Sequence, residues 1–252
     1  MSSTTESNDK QQPLVQHLLE LRTRILRSIV VVLIIFAGLF YFSTTLYEFF
    51  SEPLRVFLPE NTSMIATDVA SPFLAPFKLT MVLSLFAAIP FILNQIWGFI
   101  APGLYRHEKR LAIPLLVVSV VLFYAGVAFA YFVVFPLIFG FFSSAGPESV
   151  TMMTDINSYL NFILKLFFAF GMAFEIPVAT VLLIWSGVST VESLSGKRPH
   201  IVVGCFVLGM LLTPPDVISQ ALLAGPMWLL FEVGILFARL TSRKPKEAEV
   251  QS

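Results

Sequence analysis

The chain has 252 residues, of which 56% are hydrophobic, 14% aromatic and only 13% charged, far more apolar than a water-soluble domain requires. Sixteen basic residues balance sixteen acidic ones, so net charge argues for neither a nucleic-acid partner nor an acidic ligand, and the placement of the charges carries the information. The single cysteine, Cys205, excludes an internal disulfide and a cysteine-built metal site.

Met1 to Gln12 is polar and holds no apolar run that would form the core of a cleavable leader, so the first membrane helix is expected to be the insertion signal itself. A hydrocarbon core of about 30 Å needs roughly 20 apolar helical residues, and six segments meet or approach that length. The first is Ile29 to Leu46; the second, Leu79 to Ile100, is interrupted by Pro90 and the Asn94-Gln95 pair. The third, Leu111 to Phe142, is uncharged and would reach about 48 Å as a helix, so it must tilt, project from the bilayer or bend at Pro114 or Pro136. The fourth, Tyr159 to Trp185, carries Lys165 and Glu175. Ile201 to Leu212 gives only about 18 Å of helix before the Thr213-Pro214-Pro215-Asp216 turn. That turn closes a tight hairpin with the sixth segment, Val217 to Phe237, which contains Pro226 and Glu232. The fifth and sixth helices are both expected to be short and to thin the membrane locally.

Lys and Arg are retained on the cytoplasmic side of short loops. Thirteen of the sixteen bases, from Lys10, Arg22, Arg24 and Arg27 to Arg239 and Lys246, fall before the first span, after the second, after the fourth or after the sixth. The alternate connections hold Glu48, Glu52, Glu60, Asp68, Glu148, Asp155 and Asp216 against Arg55 and Lys78. The expected fold is an all-α, multi-pass protein of a bacterial inner membrane, with six transmembrane helices and both termini cytoplasmic. Residues 13–240 form one transmembrane domain, flanked by disordered cytoplasmic tails at 1–12 and 241–252. The loop from Tyr47 to Phe77 is long enough to cap the periplasmic surface with short helices.

No nucleophile-elbow, zinc-protease or phosphate-loop signature is present, and His17, His107 and His200 all lie in the basic segments. Two acids stand out among those bases, Glu20 in HLLELRTR and Glu108 in LYRHEKRL. Carboxylates grip guanidinium groups through paired charge-assisted hydrogen bonds, so two acids on one face would recognise adjacent arginines and discriminate against lysine. Glu20 also stands four residues before Arg24, and Glu108 beside Arg106, Lys109 and Arg110, so simple pairing explains both acids as well. Glu175 falls about 24 Å down the fourth helix with about 15 Å left to Trp185, inside the hydrocarbon, where a carboxyl group is costly and functional by default. A protonated acid bonded between helices is the plainer alternative. Lys165, about 15 Å away along the axis, cannot pair with Glu175 and is expected to snorkel outward. Thr213 and Gln220 flank the double-proline turn, where they offer contacts to another transmembrane helix or simply satisfy the turn. Phe99 sits where the second helix leaves the membrane, as a routine interfacial aromatic or a peptide contact.

HLLELRTRIL, FIAPGLYRHEKR, AFAYFVVFPL, FGMAFEIPV and GMLLTPPDVISQ, in that order between about Pro13 and Arg239, resemble the TatC family. The resemblance implies a non-enzymatic receptor that binds twin-arginine signal peptides and, with TatB and TatA, exports folded proteins using the protonmotive force. It implies a concave, glove-like scaffold, an oligomer of TatB–TatC units, contact with membrane lipid, and no cofactor or metal. By motif position it places Glu20, Arg22, Phe99 and Glu108 in the signal-peptide site, Glu175 as the intramembrane polar residue, and Thr213 and Gln220 at the partner-helix contact. Pro53 and Asp216 match periplasmic positions that serve assembly or transport. The rival expectation is a proton- or cation-coupled secondary transporter cycling on Glu175, which calls for discontinuous helices and an internal repeat; no repeat is found. An intramembrane hydrolase lacks a base at membrane depth.

Overall fold

The computed structural model describes residues 6–55, 65–100, 112–145, 155–212 and 217–241, with side chains at 17–50, 65–100, 113–141, 155–212 and 217–240. Within them the chain is helical: α1 (Glu6–Phe40), α2 (Ser43–Arg55), α3 (Ser71–Ala87), α4 (Ile89–Ile100), α5 (Ala112–Phe129), α6 (Phe135–Ala145), α7 (Ile156–Ala173), α8 (Ile176–Trp185), α9 (Val191–Gly196), α10 (Arg198–Leu212) and α11 (Val217–Thr241). One isolated parallel bridge joins Ile65 and Asp155, and no strand is present among the described residues.

Among the described residues four stretches are long and apolar enough to cross a membrane: His17–Phe40, Ile113–Phe141, Ile156–Trp185 and Val217–Leu240. The pair α3 and α4 passes the same test together but is bent by 48°. Pro90 causes that bend, because it has no N–H for the carbonyl of Phe86 and its ring crowds that turn. Ala88 N–H turns back instead to Ser84 O at 3.0 Å and Leu85 O at 3.1 Å. Pro177 acts likewise on the carbonyl of Ala173 and separates α7 from α8 at Phe174 and Glu175. In the third span, expected to tilt, project or bend at Pro114 or Pro136, a π-helical segment, Ala130–Val134, stands just before Pro136.

Two expectations change in detail and one holds. The first span does not run on to Leu46: α1 stops at Phe40, Tyr41 and Phe42 form a turn, and the Ser-Thr-Thr run opens α2. The break is closed by backbone bonds, Phe42 N–H to Leu39 O and Leu46 N–H to Phe42 O, both at 2.9 Å. The fifth helix, α10, is indeed short, 15 residues and about 22 Å. The sixth is not short, since α11 continues through Pro226 for 25 residues, about 37 Å.

The chain divides into two compact units. The first comprises Met1–Gly103, Ala112–Leu116 and Ser143–Leu164; its core is Ala75, Leu79, Leu160 and Leu164, closed by Leu46, Tyr47 and Phe50 of α2. Asp155 ties the loop before α3 to the start of α7, accepting from Thr67 N at 3.1 Å and Thr67 Oγ1 at 2.8 Å while capping Ser158 N at 2.9 Å. With Ser158 Oγ at 3.0 Å these make four donors, Ser158 N first, that hold its carboxyl down to about 2.

The second unit comprises Leu104–Leu111, Val117–Phe142 and Lys165–Ser252. Phe123, Phe167 and Phe170 are fully buried in it, and two glycines let α5 and α7 approach closely. A Cβ on Gly126 would stand 2.4 Å from Phe170 O, and one on Gly171 would stand 2.7 Å from the Phe123 ring. A further cluster, Leu194, Phe231 and Ile235, packs α9 on α11. Outside these cores the helices present bare apolar side chains, for example Ile34 at 66% and Leu211 at 66% exposure. Such surface is stable only against lipid or other membrane helices.

Candidate functional site

The first unit gathers a polar cluster at the basic end of α1. His17, Glu20 and Arg24 share one helix face, being spaced i, i+3 and i+7. Arg24 donates to Glu20 Oε1 from Nη2 at 2.6 Å and from Nε at 2.9 Å, the pair being 23% and 40% exposed. Its Nη1 reaches across to Gln95 on α4, 3.3 Å from the backbone oxygen and 3.4 Å from Oε1. Gly98 makes room for this crossing, because a Cβ there would lie 2.4 Å from Arg24 Nη1. Phe99 stacks on His17 with ring centroids 4.0 Å apart and planes 15° from parallel.

Both strong bonds from Arg24 fall on Oε1. Among the described residues Glu20 Oε2 meets only His17 Nδ1 at 4.0 Å, beyond hydrogen-bond range, so among them one carboxylate oxygen stays available to a new cationic donor. The cluster thus combines a half-used carboxylate, a resident guanidinium already bound as an arginine ligand would be, and an aromatic platform.

Of the residues expected here, Glu20 and Phe99 are brought to the same cluster. Arg22, two residues from Glu20 and therefore turned about 200° around the helix, is exposed and makes none of the cluster's contacts. Glu108 lies outside the described residues. Sequence reading missed His17, Arg24 and Gln95 as site members. The i, i+3, i+7 spacing would have found the first two, whereas the reach of Arg24 to Gln95, 71 residues away, leaves no sequence signal.

In the second unit Glu175 stands in the break between α7 and α8. Its N–H bonds to Met172 O at 3.1 Å and its carbonyl accepts from Ala179 N at 2.9 Å. The side chain faces Ser119 of α5. Yet Glu175 Oε1 and Ser119 Oγ are both buried without a hydrogen bond of ordinary geometry among the described residues, leaving two buried polar atoms short of partners there. Lys165 is exposed. Arg198, at the start of α10, forms a bidentate pair with Glu232 of α11, Nε to Oε1 and Nη2 to Oε2 both 2.7 Å. Gln220 is half-buried on α11, its backbone pressed to Gly209 of α10, where a Cβ would meet Gln220 O at 3.4 Å. Thr213 and Asp216 lie outside the described residues, and Pro53 falls in the backbone of α2 with its side chain outside them. Among the described residues no three His, Cys, Asp or Glu side chains converge as metal ligands would.

Comparison with known proteins bears on all of this. A family model described as Sec-independent protein translocase protein (TatC) matches residues 16–226. The Sec-independent protein translocase protein TatC of Azotobacter chroococcum mcd 1 is 64% identical over 242 residues, covering 96% of this chain and 95% of its own. That of Escherichia coli K12 is 56% identical over 243 residues, covering 96% and 94%. Among solved structures, the crystal structure of a twin-arginine translocase receptor, TatC, superposes with a TM-score of 0.81 at 39% identity, covering 90% of this chain and all of that one.

Proposed function

Since the chain belongs to the TatC family of Sec-independent protein translocase proteins, we propose that it is the receptor that binds twin-arginine signal peptides at the cytoplasmic face of the inner membrane. The observation that carries the reading is the state of Glu20. Its Oε1 already holds the Arg24 guanidinium and its Oε2 is open, so an incoming arginine has an acceptor on arrival and a resident competitor to displace. Guanidinium geometry suits that exchange and an ammonium does not. Phe99, on its His17 platform, supplies an apolar contact beside the charged pair, and Glu108 is the second carboxylate for the second arginine. Arg22, turned away from Glu20, serves by adding positive charge that anchors this end in the cytoplasm.

In this reading the chain crosses the membrane six times with both termini inside. It does no chemistry of its own, assembles with TatB and TatA into an oligomer driven by the protonmotive force, and receives partner helices at Thr213 and Gln220. Pro53 and Asp216 support the periplasmic side. The apolar part of the signal follows the membrane wall toward Glu175, whose unpartnered oxygen can accept a donor from an arriving helix. The transporter alternative draws no support from the family match.

The test is photo-crosslinking from position 99 in native membranes to a twin-arginine signal peptide, compared with the same peptide carrying two lysines, in the parent chain and in Glu20→Gln. Crosslinking is expected with the arginine pair and lost with lysines or with Glu20→Gln; equal crosslinking in all three arms sinks the recognition mechanism.

A further inference from the structure

A groove of about 560 Å³ opens in the first unit between α3 and the first turns of α7. One wall is apolar, made by Leu74, Phe77 and Met81, which stand at i, i+3 and i+7 on a single face of α3. Leu74 is 46% and Met81 36% exposed, so the wall faces outward into whatever surrounds the helix. The opposite lip is polar. Lys78 donates from Nζ to Asn161 Oδ1, which leaves its remaining ammonium protons and both N–H donors of Asn161 directed to no partner among the described residues. Asn157 donates from Nδ2 to Ser71 Oγ at 2.5 Å. No carboxylate among the described residues lies within ion-pair distance of Lys78, so the groove carries one uncompensated positive charge.

Depth says what such a groove meets. Lys78 is 22 residues above Ile100 along α3 and α4, about 33 Å of helix less the bend at Ala88. That puts its ammonium at the outer limit of a hydrocarbon core of about 30 Å, the level of lipid phosphates. An apolar wall running down from a cation and amide donors has the polarity of a phospholipid, headgroup above and acyl chain below.

We propose that this groove is a binding site for an anionic phospholipid. Its phosphate is held by Lys78 Nζ and the Asn161 amide, and its acyl chain lies along Leu74, Phe77 and Met81. A zwitterionic lipid is disfavoured because its own cation would be brought against Lys78. The site itself does not depend on the receptor reading; only its assignment to the periplasmic leaflet rests on the orientation proposed with it.

The test uses the full chain reconstituted in nanodiscs of mixed phosphatidylglycerol and phosphatidylcholine, with the lipids that stay bound on release counted by native mass spectrometry. The parent chain is expected to retain phosphatidylglycerol over phosphatidylcholine, and Lys78→Gln to lower that preference roughly five- to tenfold, the loss of one charge-assisted contact near a membrane surface. Lys165→Gln, which removes another exposed lysine, is expected to leave the preference intact. Met81→Trp fills the groove without touching charge and is expected to reduce both lipids, which keeps the test decisive if Lys78→Gln folds poorly by circular dichroism. An unchanged preference in Lys78→Gln, or full retention in Met81→Trp, overturns the site. Displacement of the lipid by an added transmembrane peptide that crosslinks at Leu74 would reassign the groove to a partner helix and overturn it as well.

Discussion

Arg24→Gln is the substitution whose outcome separates the proposed recognition mechanism from mere surface pairing. In the resting chain Arg24 occupies Glu20 Oε1 through two short bonds, and an arriving arginine must displace it. The pair is 23% and 40% exposed, so solvent screening limits it to about 0.5–1 kcal/mol. Its contacts to Gln95, at 3.3 and 3.4 Å, are long and add little. Removing the competitor should return that energy to the ligand, tightening binding of a twin-arginine peptide roughly two- to fivefold. Glu20→Gln should weaken the same peptide by about tenfold or more, since it removes charge from the acceptor of two bonds. Fluorescence anisotropy of a labelled peptide on the full chain in nanodiscs reads both, with a twin-lysine peptide as reference. Weaker or unchanged binding in Arg24→Gln refutes the competition and makes Arg24 a positioning residue instead.

The remaining expectations concern the scaffold. Gly126→Ala and Gly171→Ala should each destabilise by about 1–3 kcal/mol through the contacts with Phe170 O and the Phe123 ring, lowering the thermal midpoint in detergent. Gly140→Ala, with nothing within 4 Å of its added Cβ, should not. Asp155 has its carboxyl held at about 2, below the ordinary value of 3.8. Its stabilisation is therefore fully present above about pH 4 and lost as pH falls through about 2. Hydrogen exchange at the Thr67 amide should stay slow at neutral pH and become fast at neutral pH in Asp155→Ala, and equal rates in both chains would remove the clasp from the account. Arg198→Lys should lower the thermal midpoint nearly as far as Arg198→Ala, because a lysine cannot reproduce the two parallel bonds to Glu232; full rescue by lysine would show that charge alone matters there.

Much of the architecture was legible in the order of residues because a bilayer imposes a one-dimensional rule. Any segment crossing it must be a continuous apolar helix, and proline punctuates that helix by a local covalent effect. Hence the apolar stretches, the bend near Pro90 and the short α10 follow from the sequence alone, as does the family resemblance carried by five ordered motifs. Where local chemistry was ambiguous the reading slipped. α1 ended at Phe40, short of Leu46, and α11 ran on through Pro226 to 25 residues, because neighbouring turns and packed helices re-satisfy a single lost hydrogen bond. Only the tertiary structure decided which partners the polar groups take. Glu20 was visible as an acid among bases, but its half-used state depends on Arg24 lying over Gly98 toward Gln95, and the Lys78 groove depends on Asn161 arriving from α7. Those contacts join residues 71 and 83 positions apart, and side-chain polarity that is satisfied across such distances has no period or motif in the sequence to announce it.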